Sequence, residues 1–400
     1  MRILWVKAGK LLPVDTGGKI RSYNLLKQLA KWNDTTLLSY YDGPPDRDYE
    51  SKIAGELPGA TTLNTGKPES AAGQAVNYFK HVPAKAPYAV TKFTSSKVQS
   101  LLSQWDKEAR FDIVVCDFLS ASLNFPKDFR TPTVLFQHNV ESALWERQAK
   151  HERHPAKRVV FKLESAKMTR YERTTVQRFD HVIAVSDHDR KLMSDMTDAK
   201  RISVVPTGVD LNEYASVTGT NNSNHEPRVL FLGSMDWEAN IDGVDFFCRE
   251  IWPAVLSTAP SAKFYVVGRN PHPIIRKWAS DSVEVTGRVE SVLPYLRDAL
   301  IFVVPLRIGG GTRLKIYEAM AAGKAVVSTT VGAEGLDVHH GQDILLADDA
   351  ADFTRSIVSL LEDPERRRKL GDNAARLAAQ YDWATIARKF ERILKDVART

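Results

Sequence analysis

The chain has 400 residues, 43% hydrophobic and 26% charged, with a net charge of +6; that length exceeds one ordinary core and predicts two or three domains. No segment approaches the ~20 consecutive apolar residues that span a bilayer, and the opening run Met1–Lys7 meets a lysine too early for a signal-peptide core, so a cytoplasmic protein beginning with a strand is expected. Two cysteines, Cys116 and Cys248, each inside an apolar stretch, make a disulfide framework or a structural zinc site a poor expectation.

In chain order, short apolar runs alternate with helical patterns, the signature of parallel sheets covered by helices. The first half predicts strands at Ile3–Val6, Thr36–Tyr41, Asp112–Cys116, Thr133–Phe136 and His181–Val185. Amphipathic helical stretches lie at Ser22–Trp32 and Val98–Lys107, and a long charged helical region follows Val140. The Pro-, Gly-, Ala- and Ser-rich segment from Asp42 to about Pro87 yields no clear elements. A polar, turn-prone stretch, Thr218–Pro227, reads as a linker, after which the pattern restarts at Arg228–Leu232. Further strands are expected at Lys263–Val267, Val283–Thr286, Ile301–Pro305, Ala325–Thr329 and Ile344–Leu346. Helices at Ala351–Leu361, Glu365–Gln380 and Trp383–Val397 close the chain. The expected division is an N-terminal domain over 1–210, a linker over 211–227, a second domain over 228–380 and a final helix over 381–400. Ligands of such folds bind at the carboxyl ends of the strands.

The basic excess is local. Between Glu146 and Asp180 ten Lys and Arg residues stand against five acids. A solvated helix face and a surface that docks on anionic lipid headgroups both account for it. No zinc-finger spacing or RNA-binding aromatic signature supports nucleic acid as a partner.

The most informative stretch runs from Ile301 to Gly323. A buried strand leads into Gly309-Gly310-Gly311, then Thr312 as an N-cap, then a helix ending at Ala322 with Gly323 past its C-terminus. Glycines let the backbone approach a ligand, and the helix N-terminus offers unpaired N–H donors with partial positive charge, an arrangement suited to a diphosphate. Arg313 and Lys315 lie where the helix dipole disfavours cations, which makes sense if an anion sits there. Glu318, one turn later, can accept hydrogen bonds from sugar hydroxyls. Gln137-His138-Asn139 follows the strand Thr133–Phe136, and Asp15-Thr16-Gly17-Gly18 opens the first helix without a dinucleotide fingerprint.

Gly309–Gly323 followed by Lys-Ala-Val-Val-Ser-Thr resembles the donor-binding signature of retaining glycosyltransferases of the GT-B fold, in the large family 4. Pro206-Thr-Gly-Val-Asp210 is similar to that family's end-of-domain motif, with Thr207 where Asn is usual. Val229–Ser234 resembles its first donor-domain strand and loop, and Tyr381-Asp-Trp383 the start of a last helix that crosses back to the N-terminal domain. The resemblance implies an α/β GT-B fold, two Rossmann-like domains with mostly parallel sheets facing across a cleft. It implies transfer from a nucleotide-diphosphate sugar, as co-substrate and with no other cofactor, to a glycan or lipid-linked acceptor. Retention at the anomeric carbon and no essential metal go with it. His138 then lies beside the transferred sugar, and Glu318 takes the nucleotide ribose. Gly17, Gly18, Gly233, Ser234, Gly310, Gly311, Thr312, Arg313 and Lys315 approach the donor, and Arg288 lies near the base. The chain departs from the family at Gly310, where an earlier glutamate is common, and in Gly233–Asn240, which lacks the usual Arg and Lys. A non-catalytic sugar-nucleotide-binding relative and a nucleotide-sugar epimerase are the competing expectations.

Overall fold

Ile3, Leu4, Trp5, Val6 and Lys7 are buried in succession in β1 (Arg2–Ala8), as expected of a central parallel strand covered on both faces. The computed structural model describes residues 1–66, 78, 83–152, 154–217, 226–308 and 314–399, in two units: Met1–Pro206 with Trp383–Thr400, and Thr207–Asp382.

In the first unit β1 is joined by β2 (Asp34–Tyr41), β3 (Thr61–Asn64), β4 (Ile113–Asp117), β5 (Thr133–Phe136), β6 (His181–Ala184) and β7 (Ile202–Val204). They form a parallel sheet in the order β3-β2-β1-β4-β5-β6-β7. The order reverses at β1, so β1 and β4 are neighbours whose following loops diverge, a position where such folds bind ligands. Lys7 and Asp117 face each other in register there. The edge strands β3 and β7 carry no readable pattern in the sequence, being four and three residues long.

The charged region after Val140 is two helices, Glu141–His151 and Pro155–Arg178, the second starting on a proline whose missing N–H is harmless at that position. Its buried face carries two carboxylates. Glu172 accepts from Gln137 Nε2 at 3.0 Å and from the backbone N–H groups of Glu141 and Ser142 at 2.9 Å, which caps the preceding helix. Glu164 accepts from the Tyr88 N–H at 2.7 Å. The last helix, Trp383–Arg399, packs into this unit: Phe390 lies 5.4 Å from the Trp5 ring and 5.2 Å from the Phe136 ring.

The second unit holds β8 (Arg228–Leu232), β9 (Lys263–Val267), β10 (Val283–Gly287), β11 (Ile301–Val304), β12 (Ala325–Ser328) and β13 (Leu345–Leu346). Their order is β10-β9-β8-β11-β12-β13 with parallel pairing, and the reversal falls at β8. Residues 211–227, expected as a linker, begin with the helix Leu211–Ala215 of this unit. Asp210 accepts from the N–H groups of Asn212 and Glu213, and Tyr214 is buried; cap and anchor order a segment whose composition reads as loop.

Candidate functional site

Each unit brings expected residues together at the carboxyl ends of its strands. In the first, a cavity of about 930 Å³ opens where β1, β4 and β5 end, lined among others by Lys7, Gly18, Tyr41, Asp117 and His138. Asp117 is fully buried, with Oδ2 accepting from Ser22 Oγ (2.6 Å), Trp5 Nε1 (2.9 Å) and Lys7 Nζ (3.0 Å). Its Oδ1 lies 2.6 Å from His138 Nε2. Burial alone would raise the Asp117 carboxyl, but Lys7, His138 and the hydrogen bonds from His138 and Ser22 hold it well below the usual carboxylate range. His138 is pushed down by burial, opposed by Asp117 and assisted by the positive charges of Arg21 and Lys7.

Gly17 and Gly18 are the first residues of the helix Gly17–Leu29, whose start comes close enough that a Cβ on Gly18 would touch the His138 ring at 3.7 Å. Asp15 accepts from Lys19 Nζ at 3.0 Å, while the N-cap position belongs to Thr16 without a side-chain bond. At the rim Lys10 pairs with Asp46 at 2.8 Å.

In the second unit, β8, β9 and β10 end in Gly233, Gly268 and Gly287. The Gly233 N–H donates to the Val267 carbonyl at 3.0 Å, and the Gly268 N–H to that of Gly287 at 3.2 Å. A Cβ on Gly233 would stand 2.8 Å from both Asn240 Nδ2 and Lys315 Nζ. Lys315 Nζ donates to Asn240 Oδ1 (3.1 Å) and lies 4.4 Å from the Phe231 ring centroid, while Asn240 Nδ2 donates to the Ser234 carbonyl (2.8 Å). Ser234 Oγ donates to Asp236 at 2.5 Å and accepts from Arg269 Nε, which follows β9, at 2.9 Å.

Glu318 is partly buried on the helix Leu314–Ala321, three residues beyond Lys315. Burial and the charge of Glu213 push its carboxyl up to about 7, against the opposing pull of Lys315. Arg288 follows β10 in an exposed loop. Trp237 is 46% exposed beside the start of the helix Glu238–Phe246. Gly309, Gly310, Gly311, Thr312 and Arg313 lie outside the described residues.

Residues 16–213 match the family model described as Glycosyltransferase Family 4, and residues 226–363 the model described as Glycosyl transferases group 1. The chain belongs to the family 4, group 1 glycosyltransferases. Among relatives, the phosphatidyl-myo-inositol mannosyltransferase of Mycolicibacterium smegmatis is 26% identical over 54% of this chain and 57% of its own. The N,N'-diacetylbacillosaminyl-diphospho-undecaprenol alpha-1,3-N-acetylgalactosaminyltransferase of Campylobacter jejuni is 28% identical over 44% of this chain and 47% of its own. The matches thus span about half the length of these curated relatives. HepE of Anabaena, solved in complex with UDP, shares the fold at a TM-score of 0.70 and 16% identity, over 99% of this chain and 100% of its own.

Three residues of this family member escape a reading by motif: Lys7, Asp117 and Glu213. Lys7 and Asp117 each end an apolar run with a charge at a strand's carboxyl end, a cue that the sequence does carry. Glu213 follows a polar motif and gives no such cue.

Proposed function

We propose that the protein transfers a sugar from a nucleotide-diphosphate sugar to a glycan or lipid-linked acceptor, with retention and without a metal ion. The observation that carries this is the packing of Lys315 against the Gly233 backbone and Asn240, with Glu318 on the same helix. A cation held at a glycine-rich strand end suits a leaving diphosphate, and a carboxylate nearby suits a ribose diol. Arg313 and the Gly310-Gly311-Thr312 loop complete the anion site in this proposal, Gly233 and Ser234 border it, and Arg288 lies toward the base. Gly17, Gly18 and His138 serve the transferred sugar and the acceptor in the cavity of the first unit. The acceptor hydroxyl loses its proton to the departing phosphate oxygen as the glycosidic bond forms.

The test is a panel of UDP-, GDP-, ADP- and TDP-sugars without acceptor, read by thermal stabilisation and slow nucleotide release. One base class is expected to stabilise the protein and be released, and UDP-sugars come first because HepE is seen with UDP. Lys315→Ala should weaken that donor on the order of 10- to 100-fold, the worth of a charge-assisted phosphate contact. Silence from the folded wild type across the panel would remove the donor site. Binding without release, even with acceptor present, would favour the non-catalytic relative, whose motivation is glycine at position 310.

A lipid-borne acceptor is supported by the helix Pro155–Arg178. Val159 (68%), Leu163 (43%) and Val160 (40%) are exposed on it, interleaved with the exposed cations Lys157, Arg158 and Lys162. Apolar side chains among cations suit an anionic bilayer surface, where each Lys or Arg contributes about 1 kcal/mol. No helix among the described residues is long and apolar enough to cross a membrane. The protein should sediment with anionic vesicles at low salt and much less with neutral ones, and Val159→Asp with Leu163→Asp should release it. Indifference of the wild type to anionic vesicles would sink the lipid-surface proposal.

A further inference from the structure

Beyond the carboxyl ends of β8 and β9 two loops are tied together. Gly268 has no room for a Cβ, which would stand 1.7 Å from the Gly233 carbonyl oxygen, so the two chains leave the sheet in contact. The Met235 N–H donates to the Arg269 carbonyl at 2.9 Å, which carries the pairing past the strands. Asp236 takes a hydrogen bond on each oxygen, Oδ1 from Ser234 Oγ at 2.5 Å and Oδ2 from Asn270 Nδ2 at 2.9 Å. Asn270 is held there at φ +53°, a left-handed conformation that asparagine tolerates. This frame anchors Arg269, whose Nε donates to Ser234 Oγ at 2.9 Å. Arg269 is exposed, and its Nη groups make no hydrogen bond or ion pair among the described residues. Asp236 feels its charge, but both oxygens of that carboxylate are already engaged. A second cation flanks the same turn. Lys315 Nζ packs at the Gly233 backbone and donates to Asn240, whose Nδ2 donates to the Ser234 carbonyl. The N–H of half-buried Ser234 has no acceptor among the described residues. Two cations and an unengaged N–H about one peptide suit a ligand with adjoining negative charges.

We propose that Arg269 is a donor-binding residue of the second unit's site, its guanidinium forked onto the diphosphate of the nucleotide sugar that Lys315 also holds. The inference rests on the proposed function, in which a leaving diphosphate lies at this strand end. The side-chain chemistry selects the phosphates over the base: a guanidinium only donates, and its planar fork matches two phosphate oxygens. Anchoring by Nε leaves both Nη groups pre-oriented, so less rotamer entropy is lost when the anion binds.

The experiment titrates the full chain calorimetrically with UDP, GDP, ADP and TDP, and then with the bare nucleoside of whichever base binds. Arg269→Gln is expected to weaken that diphosphate on the order of 10- to 100-fold. The nucleoside should bind as it does to wild type, and the melting temperature of the free protein should not move, because the residue is exposed. Arg269→Lys keeps the charge without the fork and should recover part of the loss. Ser234→Ala removes the anchor at unchanged charge and should weaken the diphosphate several-fold. An undiminished diphosphate affinity in folded Arg269→Gln overturns the assignment. So does an equal loss for diphosphate and nucleoside, which marks a contact to the base or the ribose. If Arg269→Gln does not fold, Ser234→Ala decides in its place, and unchanged affinity there overturns the assignment. A wild type that binds none of the four diphosphates removes the proposed function and this residue's role with it. One that binds a diphosphate which Arg269→Gln leaves untouched loses only the role of Arg269.

Discussion

Glu318→Gln is expected to stabilise the protein at pH 8, leave it unchanged at pH 4, and cost it the donor. The Glu318 carboxyl is pushed up to about 7 from an ordinary 4.5, first by burial and then by Glu213. A raised carboxyl means that the folded state holds its proton longer than the unfolded chain. Stability therefore falls as pH rises from about 4.5 to about 7; the penalty is absent below this window and complete above it. A shift of that size corresponds to at most about 3 kcal/mol, and less in practice because Glu318 is partly exposed and Glu213 lies at the surface. Glutamine stays neutral at every pH, so it removes the penalty only where the penalty exists. Calorimetric Tm values at pH 4, 6 and 8 would show the gain, and a variant no more stable than wild type at pH 8 would contradict this balance of charges. Glu213→Gln should recover part of the same stability with the donor still bound. On the proposed function, Glu318→Gln loses the carboxylate that receives ribose hydroxyls, for roughly a 10- to 100-fold weaker donor. More stability with less binding is the pattern of a residue kept for its ligand.

Gly268→Ala should cost about 3 kcal/mol or more and disable the second unit's site. A Cβ at position 268 would stand 1.7 Å from the carbonyl oxygen of Gly233 and 2.7 Å from its carbon. These are backbone atoms, so no rotamer relieves the overlap; the ends of β8 and β9 must separate. Separation breaks the bond from the Gly233 N–H to Val267 and moves the backbone against which Lys315 and Asn240 pack. A thermal unfolding profile would show an early transition with donor stabilisation gone. Wild-type stability in the variant would contradict the strand-end geometry. Gly18→Ala is the contrast: its Cβ would meet the His138 ring at an ordinary 3.7 Å and should be tolerated.

Much of the architecture is legible residue by residue. Apolar runs such as Ile3–Val6 and Ile301–Val304 mark strands buried on both faces, because such strands show no alternation and stop where water begins. The edge strands β3 and β7 escape notice because three or four half-covered residues hold too little pattern. The helix Leu211–Ala215 escapes because its stability comes from the Asp210 cap and the burial of Tyr214, not from its own periodicity.

The candidate site divides in the same way. Local features of the sequence determined that Lys315 and Glu318 share a helix, that His138 ends a strand, and that glycines close β8, β9 and β10, since spacing within an element and the residue at its end are properties of a short stretch. Only the tertiary structure decided that Lys7, Asp117 and His138 form one buried hydrogen-bonded cluster and that Glu213 raises Glu318. Those partners lie 21 to 110 positions apart, or 105 for Glu213 and Glu318. What joins them is strand order and the docking of the helix Leu211–Ala215, and the charge they feel depends on burial that no single segment possesses alone.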